Sequence, residues 1–237
     1  MKAMILAAGR GERMRPLSDV APKPLLRVGG KPLIVWHIEN LVRDGFTEIV
    51  INHAHLGHLI EAVVGNGEQF GAQVRYSPEA EALETAGGIA QALPLLGSDP
   101  FLVVNGDIYI EYDFCRAREI GRAMRAEAAL FAAYLVLVDN PPHHVEGDFA
   151  LAHGLVKLDG DALLTFTGVA VYQPGKFLDI EPGTKAKLSP LLRALIANDQ
   201  VRGEHHRGRW VDVGTPQRLA DLDQLLTRPL GYPLQNS

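Results

Sequence analysis

A run of small residues with basic neighbours follows the first apolar stretch of the chain. It reads Leu6-Ala7-Ala8-Gly9-Arg10-Gly11-Glu12-Arg13-Met14-Arg15-Pro16-Leu17, and Pro22-Lys23-Pro24-Leu25 comes soon after. Small side chains at Ala8, Gly9 and Gly11 allow backbone amides to approach an anion, and clustered amides form a concavity suited to phosphate oxygens. Arg13 can add a fork of donors and Lys23 a point charge, which is what a polyphosphate demands. Gly9 and Gly11 by themselves would equally make an ordinary tight turn. The added Arg13, Pro16-Leu17 and Pro22-Lys23-Pro24-Leu25 shift the balance toward phosphate binding.

Two other glycine loops fail on spacing. A dinucleotide fingerprint needs a third glycine where Met14 stands, and a helix should begin where the chain has Arg15-Pro16. A P-loop needs Ser or Thr after Gly-Lys, but Gly30-Lys31 is followed by Pro32, and Leu25 occupies the upstream glycine position. Acidic side chains close two strand-like runs, in Asn105-Gly106-Asp107 and in Trp210-Val211-Asp212-Val213-Gly214-Thr215. Either aspartate could be a divalent-ion ligand or simply a helix N-cap. The histidines at 53, 55, 58, 143, 144, 205 and 206 match no zincin or finger spacing and read as surface or loop residues. Arg116, Arg118, Arg122 and Arg125, interrupted by Glu119 and Glu127, read as a solvated helix face.

These residues need a frame that brings them together. Residues 3–7 form a continuous apolar run, as expected of a central parallel strand covered on both faces. Helical spacing follows over 32–44, a strand over 48–52, a short helix over 59–64 and a weaker strand over 73–76. A helix over 87–96 and a strand over 101–105 complete the series. Such β-α alternation predicts an α/β fold, a single Rossmann-like domain with a mixed, mostly parallel central sheet flanked by helices. Ligands of such sheets bind beyond the carboxyl ends of the strands, where the segments after Ala7 and Asn105 lie. The second half predicts strands over 128–137, 163–172 and 210–213 and helices over 188–197 and 215–226. A Pro- and His-rich loop covers 140–148, and a fraying tail follows 227. No hexapeptide repeat is present, so no left-handed β-helix is expected.

The 237 residues, 47% hydrophobic and 22% charged, suffice for a sizeable core. A net charge of −5 gives no broad positive field, which excludes a general binder of nucleic acid or acidic membranes. The opening apolar run stops at Gly9-Arg10, too soon for a signal h-region or a membrane span. The lone Cys115 has no internal disulfide partner, which suits a reducing cytoplasm.

The small-residue loop, Gly-x-Arg, Pro-Leu and Pro-Lys-Pro-Leu together resemble the signature of the sugar-1-phosphate nucleotidylyltransferases. Their fold, of the nucleotide-diphospho-sugar transferase type, would make 1–112 a nucleotide-binding half and 113–226 a sugar-phosphate-binding half, with 227–237 a tail. The resemblance implies Mg²⁺ held by Asp107 and Asp212, with Arg13 beside the transferring phosphoryl and Lys23 bridging the α-phosphate and the sugar phosphate. It implies nucleotide contacts from Ala8, Gly9, Gly11 and Glu12, and from Thr85 and Gly87 in Glu84-Thr85-Ala86-Gly87-Gly88. That loop commonly reads Gly-Thr-Ala-Gly, so Glu84 departs from it. Glu79 is a candidate reader of the base or ribose. Asn105 and Asn140 are candidate sugar-phosphate contacts, although either could merely shape a turn.

Within the family the chain is most similar to the N-acetylmuramate α-1-phosphate uridylyltransferases. Ile51-Asn52-His53-Ala54, Tyr76-Ser77-Pro78-Glu79, Val138-Asp139-Asn140-Pro141 and His143-His144 carry that likeness. The implied substrates are UTP and a sugar 1-phosphate, handled by a monomer or small homo-oligomer without nucleic acid or membrane. Guanylyl- or thymidylyltransferases using mannose or glucose 1-phosphate are the alternative, weakened by the missing Val-x-Glu-Lys-Pro element. A non-catalytic binding domain is a further alternative, although such domains commonly lose the carboxylates or the Arg/Lys pair retained here.

Overall fold

The computed structural model describes residues 1–127 and 131–227. One nine-stranded mixed sheet runs through it. Its N-terminal part is wholly parallel: β1 (Ala3–Leu6) lies between β4 (Glu48–His53) and β6 (Phe101–Asn105), and β5 (Gln73–Pro78) flanks β4. Helices α2 (Leu33–Arg43), α3 (Gly57–Val64) and α4 (Glu84–Leu96) make the connections, as the apolar spacing predicts. Before them come a one-turn α1 (Leu17–Val20) and a small hairpin of β2 (Arg27–Val28) and β3 (Lys31–Pro32).

The second half joins the same sheet. The predicted strand over 163–172 is β11 (Thr165–Tyr172), which pairs antiparallel with both β6 and β8 (Ala133–Val138). The strand expected over 128–137 thus starts at Ala133; residues 128–130 and the tail 228–237 lie outside the described residues. Parallel β12 (Val201–His205) and the short β10 (Leu155–Lys157) and β9 (Ala150–Ala152) finish the sheet. A separate two-stranded antiparallel sheet pairs β7 (Ile108–Ile110) with β13 (Trp210–Asp212), and α7 (Pro216–Thr227) follows it.

Strand alternation sorts the core onto two faces. Ala3, Ile5, Ile49, Ile51 and Val104 pack under α2, α3 and α5 (Cys115–Ala126), whose buried face includes Ala117 and Met124. Met4, Val50, Phe101, Val103 and Tyr172 pack under α4 and α6 (Leu188–Ala197). The arginines of α5 do occupy its exposed side, apart from a Glu204 salt bridge to Arg116 that ties α5 to β12.

His37 on α2 is buried, and its Nε2 has no partner among the described residues. Burial pulls its pKa from 6.5 down to about 4, against a hydrogen bond with the Ile108 backbone and the charge of Asp107. The unfolded chain takes up this proton near its ordinary pKa and the native chain only near the depressed one. The stability is therefore complete above the ordinary value and is lost as pH falls toward the native one. Between about pH 7 and pH 5 the loss is expected to be about 2 kcal/mol. Urea midpoints at the two pH values check this, and His37→Leu is expected to flatten the difference. A variant as acid-sensitive as the parent would put the proton uptake elsewhere.

Candidate active site

The carboxyl ends of β1 and β6 meet at one point. Gly106 N–H donates to the Leu6 carbonyl at 2.8 Å, and a Cβ at 106 would stand 2.7 Å from that oxygen, so only glycine permits the approach. Above this junction opens a cleft of about 630 Å³. Ala8, Gly9, Gly11, Glu12, Arg13, Lys23, Thr85, Asn105 and Asp107 line it, so nine of the thirteen residues picked from sequence share one wall. Gly11 has φ 63°, the left-handed turn from which the loop enters its short 3-10 helix Glu12–Met14. Lys23 is carried by a second such helix, Lys23–Leu25, after the extended Pro22.

Charge is arranged pairwise in the cleft. Lys23 is buried, and its Nζ donates to Asp107 Oδ2 at 2.7 Å. Asp212 does not line the cleft itself, but Gly214 does, and a Cβ there would lie 3.0 and 3.1 Å from the two Asp212 carboxylate oxygens. The β7–β13 pairing links the two aspartates: Val213 N–H donates to the Asp107 carbonyl at 3.0 Å, and Asp212 stands opposite Ile108. Asp212 Oδ2 accepts from Arg218 Nη1 at 2.8 Å, with His143 Nε2 at 3.5 Å. Burial, and after it the Arg218 charge, push the His143 pKa down.

Glu79, Gly87 and Asn140 stand apart from the cleft wall. Glu79 is buried at the start of the loop between β5 and α4, where Oε1 accepts from Asn52 Nδ2 at 2.6 Å and Oε2 from Leu83 N–H at 2.8 Å. Burial pushes its carboxyl pKa up, opposed by those two donors. Gly87 donates to the Ala186 carbonyl, and a Cβ on it would run into the Thr184 carbonyl oxygen. Asn140 Nδ2 donates to the Val145 and Leu163 carbonyls, while its Oδ1 accepts from Thr165 Oγ1 at 2.8 Å. Every polar atom of that side chain is occupied in pinning its own loop. Asn105 lies on the irregular stretch of β11 between Phe166 and Ala170, directly over Gly168.

Sequence reasoning passed over Asn52. It lines the cleft, and its Oδ1 accepts from Ala7 N–H at 2.9 Å while its Nδ2 holds Glu79. One amide thus joins the loop after β1 to the segment that leads into α4. A Cβ on Gly88 would approach this pair at 2.7–2.8 Å, which keeps that position a glycine. The available signal was a lone polar residue ending the apolar strand next to β1. Glu84 also lines the cleft, with φ 63°, a backbone region in which glycine is unstrained and glutamate is not.

The donors fit a small hard cation. Asp107 and Asp212 offer carboxylate oxygens, which suit Mg²⁺, and the Asp212 carboxylate lies next to the cleft-lining Gly214. Among the described residues, Asp44, Asp113 and Cys115 also form a potential metal-binding cluster, their ligand atoms lying within 4.8 Å of one another. There, however, Asp44 Oδ2 accepts from Phe114 N–H and Asp113 Oδ1 from Cys115 N–H, both at 3.0 Å, so the carboxylates cap α5. The two aspartates line a different cavity, beside Trp36 and Tyr109.

Known proteins place this geometry. A profile described as nucleotidyl transferase matches residues 2–161. An N-acetylmuramate alpha-1-phosphate uridylyltransferase of Neisseria meningitidis serogroup B is 53% identical, over 95% of this chain and 98% of its own. One of the same name from Caulobacter vibrioides is 36% identical, over 91% and 92%. A mannose-1-phosphate guanyltransferase of Hypocrea jecorina is 31% identical over 92% of this chain, which spans 62% of that longer protein. In three dimensions, a Bacillus anthracis structure designated a glucose-1-phosphate thymidylyltransferase superposes with a TM-score of 0.82 over 99% of this chain and 98% of its own, at 22% identity. The last likeness speaks for the fold, and the first three, with the profile, for descent: the chain belongs to the nucleotidyl transferase family, and within it to the sugar-1-phosphate nucleotidylyltransferases.

Proposed function

We propose that the chain transfers a uridylyl group from UTP to N-acetylmuramate α-1-phosphate and releases pyrophosphate, in the cytoplasm and with Mg²⁺. The observation that carries this reading is the single cleft in which the Gly9–Gly11 loop, Arg13, Lys23 and Asp107 meet. The 53% identity to a uridylyltransferase of that name supports the choice of base and sugar.

A phosphate monoester has a second pKa near ~6 and is largely dianionic at neutral pH. The sugar phosphate is therefore its own nucleophile, and the protein needs no general base. Its work is to hold two mutually repelling anions in line and to stabilise charge on the leaving pyrophosphate. The amides of Ala8 to Gly11 and the Arg13 fork would receive the triphosphate. Lys23, seated between the loop and Asp107, would meet the α-phosphate and the incoming phosphate together. Asp107 and Asp212 would hold Mg²⁺, which when bound neutralises phosphate charge. Thr85 and the loop before it would face the base, Glu79 and Gly87 would set that loop's shape or reach the base through it, Asn105 would border the sugar phosphate, and Asn140 would serve the sugar side by holding its loop in shape. The active species would be a monomer or small homo-oligomer. Among the described residues no helix is long and apolar enough to cross a membrane.

Pyrophosphate release from UTP, dTTP, GTP and CTP, each with a panel of sugar 1-phosphates, tests the proposal. UTP with N-acetylmuramate α-1-phosphate is expected to be the fastest pair. Product formed only with glucose or mannose 1-phosphate would overturn the substrate assignment, and no release with any pair would favour a non-catalytic binding domain.

A further inference from the structure

Each of the two carboxylates assigned to the metal is already matched by a cation from the protein. Asp107 has Lys23, a cleft residue. Asp212 has Arg218, which comes from α7, is not itself one of the cleft-lining residues and has no place in the reaction described above. The geometry points to Arg218 as a built-in competitor for the divalent ion at Asp212, a guanidinium that must give up the carboxylate before the ion can take it. This inference rests on the reading of Asp212 as a metal ligand.

Four observations support it. The Arg218–Asp212 contact is 2.8 Å, and the two side chains are only 18% and 24% exposed, so water screens the pair far less than a surface ion pair. Arg218 is held from two further directions: it donates to His143 Nε2, and its backbone N–H and Nε lie 3.3 and 3.4 Å from Thr215 Oγ1. The guanidinium rests against Gly214, the residue that separates Asp212 from the cleft. Finally, a divalent ion and a guanidinium seek the same carboxylate lone pairs and repel one another. Binding of the ion is therefore an exchange, and its apparent affinity is lowered by whatever holds Arg218 in place.

The test is Mn²⁺ binding to the full chain without nucleotide, followed by the EPR signal of the free ion. Arg218→Met, which keeps the aliphatic length and removes the charge, is expected to bind Mn²⁺ about fivefold tighter or more. Arg218→Gln, which keeps a donor to Asp212 without the charge, is expected to tighten binding in the same direction. Arg218→Lys is expected to stay near the parent. Unchanged or weaker binding in the folded Met and Gln variants would overturn the inference, because Arg218 would then only orient the carboxylate. Asp212→Asn separates the two levels. If it weakens Mn²⁺ binding while the Arg218 variants do nothing, the competitor is refuted and the metal ligand stands; if it changes nothing, the ligand assignment itself fails.

Discussion

Asp107→Asn is expected to lower turnover roughly a thousandfold while leaving secondary structure intact. Asparagine keeps the shape and one acceptor, so Lys23 Nζ still finds a partner where it now contacts Oδ2 at 2.7 Å. What disappears is the negative charge that would hold the divalent ion against the phosphates. The loss should therefore fall on the chemical step, with circular dichroism unchanged. Pyrophosphate release under saturating UTP and sugar phosphate measures it. A variant running at the parental rate with Mg²⁺ would remove Asp107 from the mechanism, and with it the main reason for placing the reaction at the end of β6.

Lys23→Met should be nearly as damaging to kcat/KM, again roughly a thousandfold, for a different reason. The lysine stem is buried between the phosphate-side loop and Asp107, and a Cβ on Gly11 would lie 3.4 Å from Lys23 Cβ, so methionine fills the space with little repacking. Its ammonium is the cation that meets Asp107 directly, and no water-exposed charge can take its place. Two roles can be told apart by metal. If Lys23 merely neutralises Asp107, raising Mg²⁺ should restore the rate, since the ion performs the same neutralisation. If Lys23 holds the phosphates, excess Mg²⁺ should leave most of the deficit in place. The second outcome is expected, and full rescue would refute it.

The parallel part of the fold was legible because its chemistry is local. Residues 3–6 and 101–104 are apolar on both faces, as expected of an enclosed strand, and glycine-containing loops come soon after them. The far side was legible only in part: the strands over 163–172 and 210–213 and the helices over 188–197 and 215–226 are β11, β13, α6 and α7, but β9, β10 and β12 have no counterpart in the sequence pattern. Arg202, Glu204 and His205 give β12 the composition of a loop, and β9 and β10 span three residues each. Nothing local says that β11 will enter between β6 and β8, since that pairing depends on residues some seventy positions apart. The cleft divides in the same way. Arg13, Lys23 and Asp107 sit in motifs whose residue types announce phosphate and metal chemistry, and the fold brings them to one wall. Asn140 has the type of a ligand-binding residue, yet three hydrogen bonds commit it to its own loop. Asn52 acts on residues 45 and 27 positions away, and Arg218 couples the nearby Asp212 to His143, 75 positions away; spacing does not report such contacts.

The position of β11 also dictates the order of events during synthesis. The β6 edge is covered only when residues 165–172 arrive, so a nascent chain with residues 1–112 outside the ribosome still presents an unpaired strand. A fragment ending near residue 112 should therefore aggregate instead of folding as a free-standing module. The first half of this protein waits for the second.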